Sequence, residues 1–228
     1  MKISKNLGSS ETSRRAVVFG GIAAVSMAGL VACSDQGQSQ TADAGSVVGD
    51  LPENIMGDPN APITMIEYSS MTCPHCAYFH TATLPGLKEK YIDTGKVRYI
   101  LREFPLDHLA TAAFMLARCA GKDKYFPLID AMYAKQNEWA VRSGNSQKLF
   151  DLVKQAGFTE ETFKKCLNDK DLSSKIIAIK NKGANDLRVA STPTFFINGE
   201  KVEGALSLEA FDKKFAPLLG KAEAEKKK

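Results

Sequence analysis

Ile63-Thr64-Met65-Ile66-Glu67-Tyr68 is followed a few residues later by Cys73-Pro74-His75-Cys76, and then by a helix-like run from Ala77 to Thr94. The first six residues are short, β-rich and apolar, the pattern of a buried strand. The tetrad therefore stands where a strand gives way to a helix. At a helix start the first amide N–H groups have no intrahelical partners, and the macrodipole is positive. A thiolate placed there is stabilised, so Cys73 is expected to have a lowered pKa and to attack disulfides at neutral pH. Pro74 suits the first turn, where its missing N–H costs nothing. His75 brings a further donor and, when protonated, a positive charge beside the same sulfur. Stabilising the thiolate stabilises the reduced pair, which makes the disulfide form the stronger oxidant. Cys76, one turn further in, is expected to be less accessible and to act as the resolving thiol. The two cysteines and His80 make only half a metal site, and no second ligand pair has zinc-like spacing. Ala77, where a c-type haem site needs His, excludes that attachment.

Outward from the tetrad the chain alternates between strand and helix signals. Asp58 to Pro62 is a turn cluster, Pro85 predicts a kink in the helix after the tetrad, and Gly95 predicts its stop. Val97 to Phe104 reads as the next strand, ended by Pro105. Residues 107–187 then carry helix-like spacing over His108–Ala120, Tyr125–Gln136, Ser146–Ala156, Glu160–Leu167 and Ser173–Leu187. Thr194 to Ile197 reads as a strand, Asn198-Gly199 as a hairpin turn and Lys201 to Glu203 as the return strand. Leu206 to Leu219 closes the pattern as a helix, and residues 221–228 read as a disordered, solvated tail. The fold class expected is α/β, with frame segments at 47–106 and 188–220 and a helical insertion at 107–187.

This ordered set of features resembles the DsbA-type branch of the thioredoxin superfamily over residues from about 58 to 218. The resemblance is carried by the acidic residue on the strand, by Cys73-Pro74-His75-Cys76, by Arg102-Glu103-Phe104-Pro105-Leu106 and by Ser191-Thr192-Pro193-Thr194-Phe195-Phe196-Ile197-Asn198-Gly199. It implies a thioredoxin fold with an inserted helical subdomain, thiol–disulfide oxidoreductase activity through a Cys73–Cys76 pair, and no cofactor. It further implies that Pro193 is a cis-proline facing the cysteines and that Thr192 presents backbone to an extended substrate. Glu67, six residues before Cys73, takes the place of a buried acid that moves protons to and from the inner thiol. A surface carboxylate at a strand end is the other reading of Glu67. One departure is Thr192, where the familiar oxidase of this family has Val. Thr there is common in isomerase-like and some other DsbA-like relatives, so disulfide shuffling or reduction stands as the alternative activity. The remaining histidines, His80 and His108, and Trp139 are assigned no role.

The chain has 228 residues, 44% hydrophobic and 25% charged, as in ordinary globular proteins. Its net charge of +4 is concentrated at the N-terminus. Lys2, Lys5, Arg14 and Arg15 stand there against Glu11, and the near-neutral remainder offers no footprint for nucleic acid. Residues 1–33 join that basic start to an apolar run, Ala16 to Ala32, the layout of an export signal. An uncleaved anchor is the alternative. Leu30-Val31-Ala32-Cys33 resembles a lipobox, which makes Cys33 the lipidation site and anchors the protein to a membrane. Ser13-Arg14-Arg15 resembles a twin-arginine signal, with Sec export the alternative. Residues 34–46 are small and polar, a flexible tether. With Cys33 lipidated, Cys119 and Cys166 remain after the tetrad. In an oxidising compartment they are expected to form a structural disulfide, since both lie in helices of the insertion; two buried free thiols are the alternative. The expected setting is periplasmic or extracytoplasmic. The expected partners are reduced or misfolded exported proteins and a membrane protein that reoxidises the pair, and nothing in the sequence demands more than a monomer. A reading from a different class is a surface lipoprotein that binds a partner, its cysteine pair inert.

Overall fold

The computed structural model describes residues 50–141 and 145–225. The export signal, lipobox with Cys33 and tether expected from the sequence lie outside the described residues. Among those described, five strands form one mixed sheet: β1 (Asn54–Met56), β2 (Ile63–Ser69), β3 (Val97–Glu103), β4 (Thr194–Ile197) and β5 (Glu200–Glu203), in the order β1-β3-β2-β4-β5. β2 and β3 pair in parallel, with Glu67 opposite Leu101, and the other neighbours are antiparallel. A parallel pair needs a crossover, and the helical stretch that follows the tetrad supplies it. β4 and β5 join through Asn198 and Gly199, both at positive φ (46° and 89°), as a tight two-residue hairpin requires. β1 was not anticipated; three residues are too few for a legible alternation.

The crossover consists of α1 (Pro74–Tyr78), a π-helical turn (Phe79–Thr83), α2 (Leu84–Leu87) and a second π-helical turn (Lys88–Ile92). The first π turn explains how Pro85 is tolerated. Leu84 N–H donates to Phe79 O, five residues back, so the widened turn ends just where the proline ring would press on the preceding turn.

Between β3 and β4 lie α3 (His108–Cys119), α4 (Lys122–Ala134), α5 (Gln136–Trp139), α6 (Asn145–Lys154), α7 (Glu160–Leu167) and α8 (Lys170–Asp186). Asp107 caps α3 by accepting from Ala110 N–H at 2.7 Å, and Thr159 caps α7 in a reciprocal box with Thr162. A disulfide joins Cys119 to Cys166, tying α3 to α7, with the Cα atoms 6.2 Å apart. α9 (Leu208–Glu225) ends the described chain. The tail expected to be disordered from residue 221 is thus helical as far as Glu225. Ala222, Glu223 and Ala224 are strong helix formers, and one interior glycine, Gly220, costs only about 1 kcal/mol.

Side chains on β2 alternate between two faces. Ile63 and Met65 enter the larger core beneath the tetrad, with Phe79, Phe195, Phe211 and Phe215. Ile66 and Tyr68 enter a smaller core on the other face, with Ile100, Phe104 and Phe196, which Ala184 and Leu187 cover. Period two therefore puts Glu67 and Ser69 on the tetrad's side of the sheet.

Candidate active site

Cys73 is the N-cap residue of α1, with extended backbone (φ −84°, ψ 119°), and Pro74 occupies the first helical position. The residue is 5% exposed, and its thiol lies 3.2 Å from the carbonyl oxygen of Thr192, which accepts from it. The Thr192–Pro193 peptide is cis, so the loop before β4 turns its backbone toward the sulfur. Gln136, buried in α5, donates to Met71 O at 2.9 Å and to Cys73 O at 3.0 Å, and so ties the loop before α1 to the helical layer.

The two thiols are pushed in opposite directions. A hydrogen bond from the Cys76 thiol lowers Cys73 most; burial opposes it, and the Thr192 hydroxyl and the amides of Cys76 and His75 assist, leaving a pKa of about 5. Burial raises Cys76 far above the ordinary thiol value, and its hydrogen bond to Cys73 and the Glu67 carboxylate raise it further. The surroundings favour the thiolate at Cys73 and the thiol at Cys76. The His75 imidazole is exposed, and it is the amide of that residue that acts on Cys73.

Glu67 is fully buried. Its Oε1 accepts from Ser69 Oγ at 2.6 Å, and its Oε2 accepts from the Tyr99 hydroxyl and lies 3.2 Å from His80 Nε2. Ser69 Oγ also lies 2.8 Å from the Tyr133 hydroxyl, and the His80 ring stacks on Tyr133 with centroids 4.2 Å apart. Burial tends to lower the His80 imidazole, but the Glu67 carboxylate and the Asp130 hydrogen bond outweigh it and raise the pKa to about 9. Ser69, His80, Tyr99 and Tyr133 had no assigned role in the sequence reading. Only His80 carried a signal, four residues after Cys76 on a helix and so on the same face. Among the described residues no three His, Cys, Asp or Glu side chains converge on a metal-sized site.

A strand, a cysteine pair on the helix it feeds and a cis-proline loop beside the outer sulfur define a thiol-exchange centre on a thioredoxin-like sheet. The family model described as Thioredoxin matches residues 50–215. The crystal structure of alpha-DsbA1 from Wolbachia pipientis superposes with a TM-score of 0.71 at 36% identity, covering 77% of this chain and 95% of that one. The chain belongs to the thioredoxin family, as one of its DsbA-like members. A "Putative protein-disulfide oxidoreductase" of Rickettsia bellii is 38% identical over 155 residues, 68% of this chain and 60% of that protein. The "Probable disulfide bond formation protein D" of Bacillus cereus is 30% identical over 153 residues, 64% of this chain and 70% of that protein. The match thus spans less than two thirds of the Rickettsia relative's length.

Proposed function

We propose that this chain is a protein disulfide oxidoreductase that introduces disulfides into exported proteins through Cys73 and Cys76. The observation that carries the reading is the asymmetry of the pair: the outer sulfur faces the Thr192 carbonyl beside a cis-proline and has a lowered pKa, and the inner one is buried with a raised pKa. A reduced substrate thiolate attacks Cys73 of the oxidised pair, and the Cys73–Cys76 bond breaks to give a mixed disulfide. A second substrate thiolate then attacks the substrate sulfur of that bond and releases Cys73 as its stable thiolate. Two electrons pass from substrate to enzyme, and a membrane partner takes them away. The names of the relatives support this class of activity. The export-signal pattern of residues 1–33 supports an extracytoplasmic setting with anchoring through Cys33, and the whole pair within one chain supports action as a monomer. Among the described residues no helix is long and apolar enough to cross a membrane.

The test is the equilibrium of the Cys73–Cys76 pair with glutathione, followed on that peptide by mass spectrometry so that Cys119 and Cys166 do not contribute. A potential toward the oxidising end, about −120 mV, supports the oxidase, whereas one near about −270 mV makes the chain a reductase. Cys73→Ser is expected to abolish oxidation of a reduced substrate; oxidation at the wild-type rate would remove Cys73 from its role.

A further inference from the structure

His80 follows Cys76 by one helical turn, and both side chains are buried. A buried imidazole is costly unless both ring nitrogens find partners. Here each nitrogen faces a carboxylate: Nε2 lies 3.2 Å from Glu67 Oε2, and Nδ1 lies 3.5 Å from Asp130 Oδ1. The two carboxylates differ in one respect. The Glu67 side chain has no exposure, whereas that of Asp130, on α4, is 53% exposed. The ring is held between them by stacking on Tyr133 and by an edge contact with Phe79. The other titratable groups around it are the Tyr99 hydroxyl on β3, 3.5 Å from Nε2, the Tyr133 hydroxyl on α4, and Cys76 on α1 beyond Glu67. On the inner side, Ser69 Oγ donates to Glu67 Oε1 at 2.6 Å, and the Ser69 hydroxyl and the Glu67 carboxylate both bear on the ionisation of the buried Cys76 thiol. Polar groups therefore follow one another from the inner sulfur to the surface in the order Cys76, Ser69, Glu67, His80, Asp130.

We propose that His80 is a positioning residue that, acting through Glu67, carries the proton of Cys76 to and from solvent by way of Asp130. The inference rests on the oxidoreductase reading and deepens it. When a substrate thiolate attacks Cys73, the Cys73–Cys76 bond breaks and its electron pair leaves on Cys76, a buried sulfur that needs a proton. In the tautomer that bears its proton on Nε2, His80 gives that proton to Glu67 while the free Nδ1 takes one from water through Asp130, and the Ser69 hydroxyl hands a proton to Cys76 and regains one from Glu67. One proton from solvent thus ends on Cys76, and Glu67 returns to the carboxylate. On reoxidation the same steps run backwards, freeing Cys76 to attack the mixed disulfide at Cys73. An imidazole suits the task because it accepts at one nitrogen and donates at the other without moving.

The experiment is a stopped-flow measurement of the oxidised full chain reacting with a synthetic peptide that holds two cysteines, between about pH 5 and pH 9. Wild type, His80→Gln and Asp130→Asn are compared, each checked for a cooperative thermal transition. His80→Gln is expected to slow the reaction at pH 7 at least about tenfold, and Asp130→Asn about threefold, both less than the roughly hundredfold or more of a direct acid–base group because water can replace a relay member. In both variants the rate relative to wild type is expected to fall as pH rises, because the leaving thiolate then waits for a proton from bulk water, while the rise from peptide thiolate formation is common to all three proteins. A folded His80→Gln protein with the wild-type rate and profile overturns the relay. So does a slowing that is equal at every pH, which a structural role alone would give, or an Asp130→Asn protein that matches wild type. If His80→Gln does not fold, Asp130→Asn alone decides by the same criterion. A wild-type protein that leaves the peptide reduced overturns the oxidoreductase reading as well, whereas the other outcomes touch only the relay.

Discussion

At the scale of single residues the chemistry lies in two sulfurs a turn apart, whose pKa values are pushed in opposite directions. Cys73 was readable as the attacking thiol because a helix start stabilises an anion whatever the sequence around it. Its folded pKa of about 5 lies below the ordinary thiol value of about 8.5. Linkage then sets the sign. The depressed group contributes stability to the reduced fold that is complete above about pH 8.5 and is lost as pH falls through about 5. Urea unfolding of the reduced protein is expected to show that loss over this window, and the oxidised protein, whose cysteines do not titrate, to lack it. Alkylation of Cys73 by iodoacetamide is expected to reach half its maximum near pH 5, with Cys76 silent; a Cys73 rate still climbing at pH 8 would contradict the assignment. The surroundings of Glu67 were less legible. Alternation on β2 places it on the tetrad's face, but Ser69, Tyr99, Tyr133 and His80 come from separate elements, and no local pattern announces that they converge.

At the scale of elements, two contacts fix how the helices sit. A β-carbon at Gly183, on α8, would stand 2.5 Å from the Tyr68 ring on β2. Gly→Ala inside an exposed helix normally stabilises by about 1 kcal/mol. Here the sign is expected to reverse, and Gly183→Ala to destabilise by about 1–3 kcal/mol in urea unfolding, because α8 must withdraw from the smaller core. A stabilised variant would mean that α8 does not pack as described. The Cys119–Cys166 disulfide closes a loop of 47 residues between α3 and α7. Replacing both cysteines by Ala is expected to cost about 4 kcal/mol or less on the chain-entropy account. Calorimetry of the double variant checks it, and an unchanged transition would mean that the bond adds nothing to the fold. The helices themselves were legible because 3.6-residue spacing survives in any window of sufficient length. β1 and the π-helical turns were not, since a three-residue strand and one wide turn leave no period to read.

Across the whole molecule, a buried ion pair fastens the helical layer to the sheet. Glu103, at the end of β3 and wholly buried, takes two bonds from the Arg118 guanidinium on α3, at 2.6 and 2.9 Å, and accepts from Tyr125 on α4 and Asn54 on β1. Removing one partner of such a pair strands a charge, so Arg118→Met is expected to destabilise by about 3–5 kcal/mol while the potential of the Cys73–Cys76 pair stays unchanged. Chemical denaturation and the glutathione equilibrium check the two halves, and a loss below about 1 kcal/mol would mean the pair is hydrated rather than buried. By itself the sequence determined the order of the longer strands and helices, the helix start on which Cys73 sits and the hairpin at Asn198-Gly199, because each depends on neighbours a few residues apart. Only the tertiary structure decided which strands are adjacent, that the Thr192 carbonyl meets Cys73 across 119 residues of chain, and that Glu67, His80 and Asp130 stand in line. Such contacts join side chains far apart in the chain, and their geometry is set by how the layers pack, which no local spacing encodes.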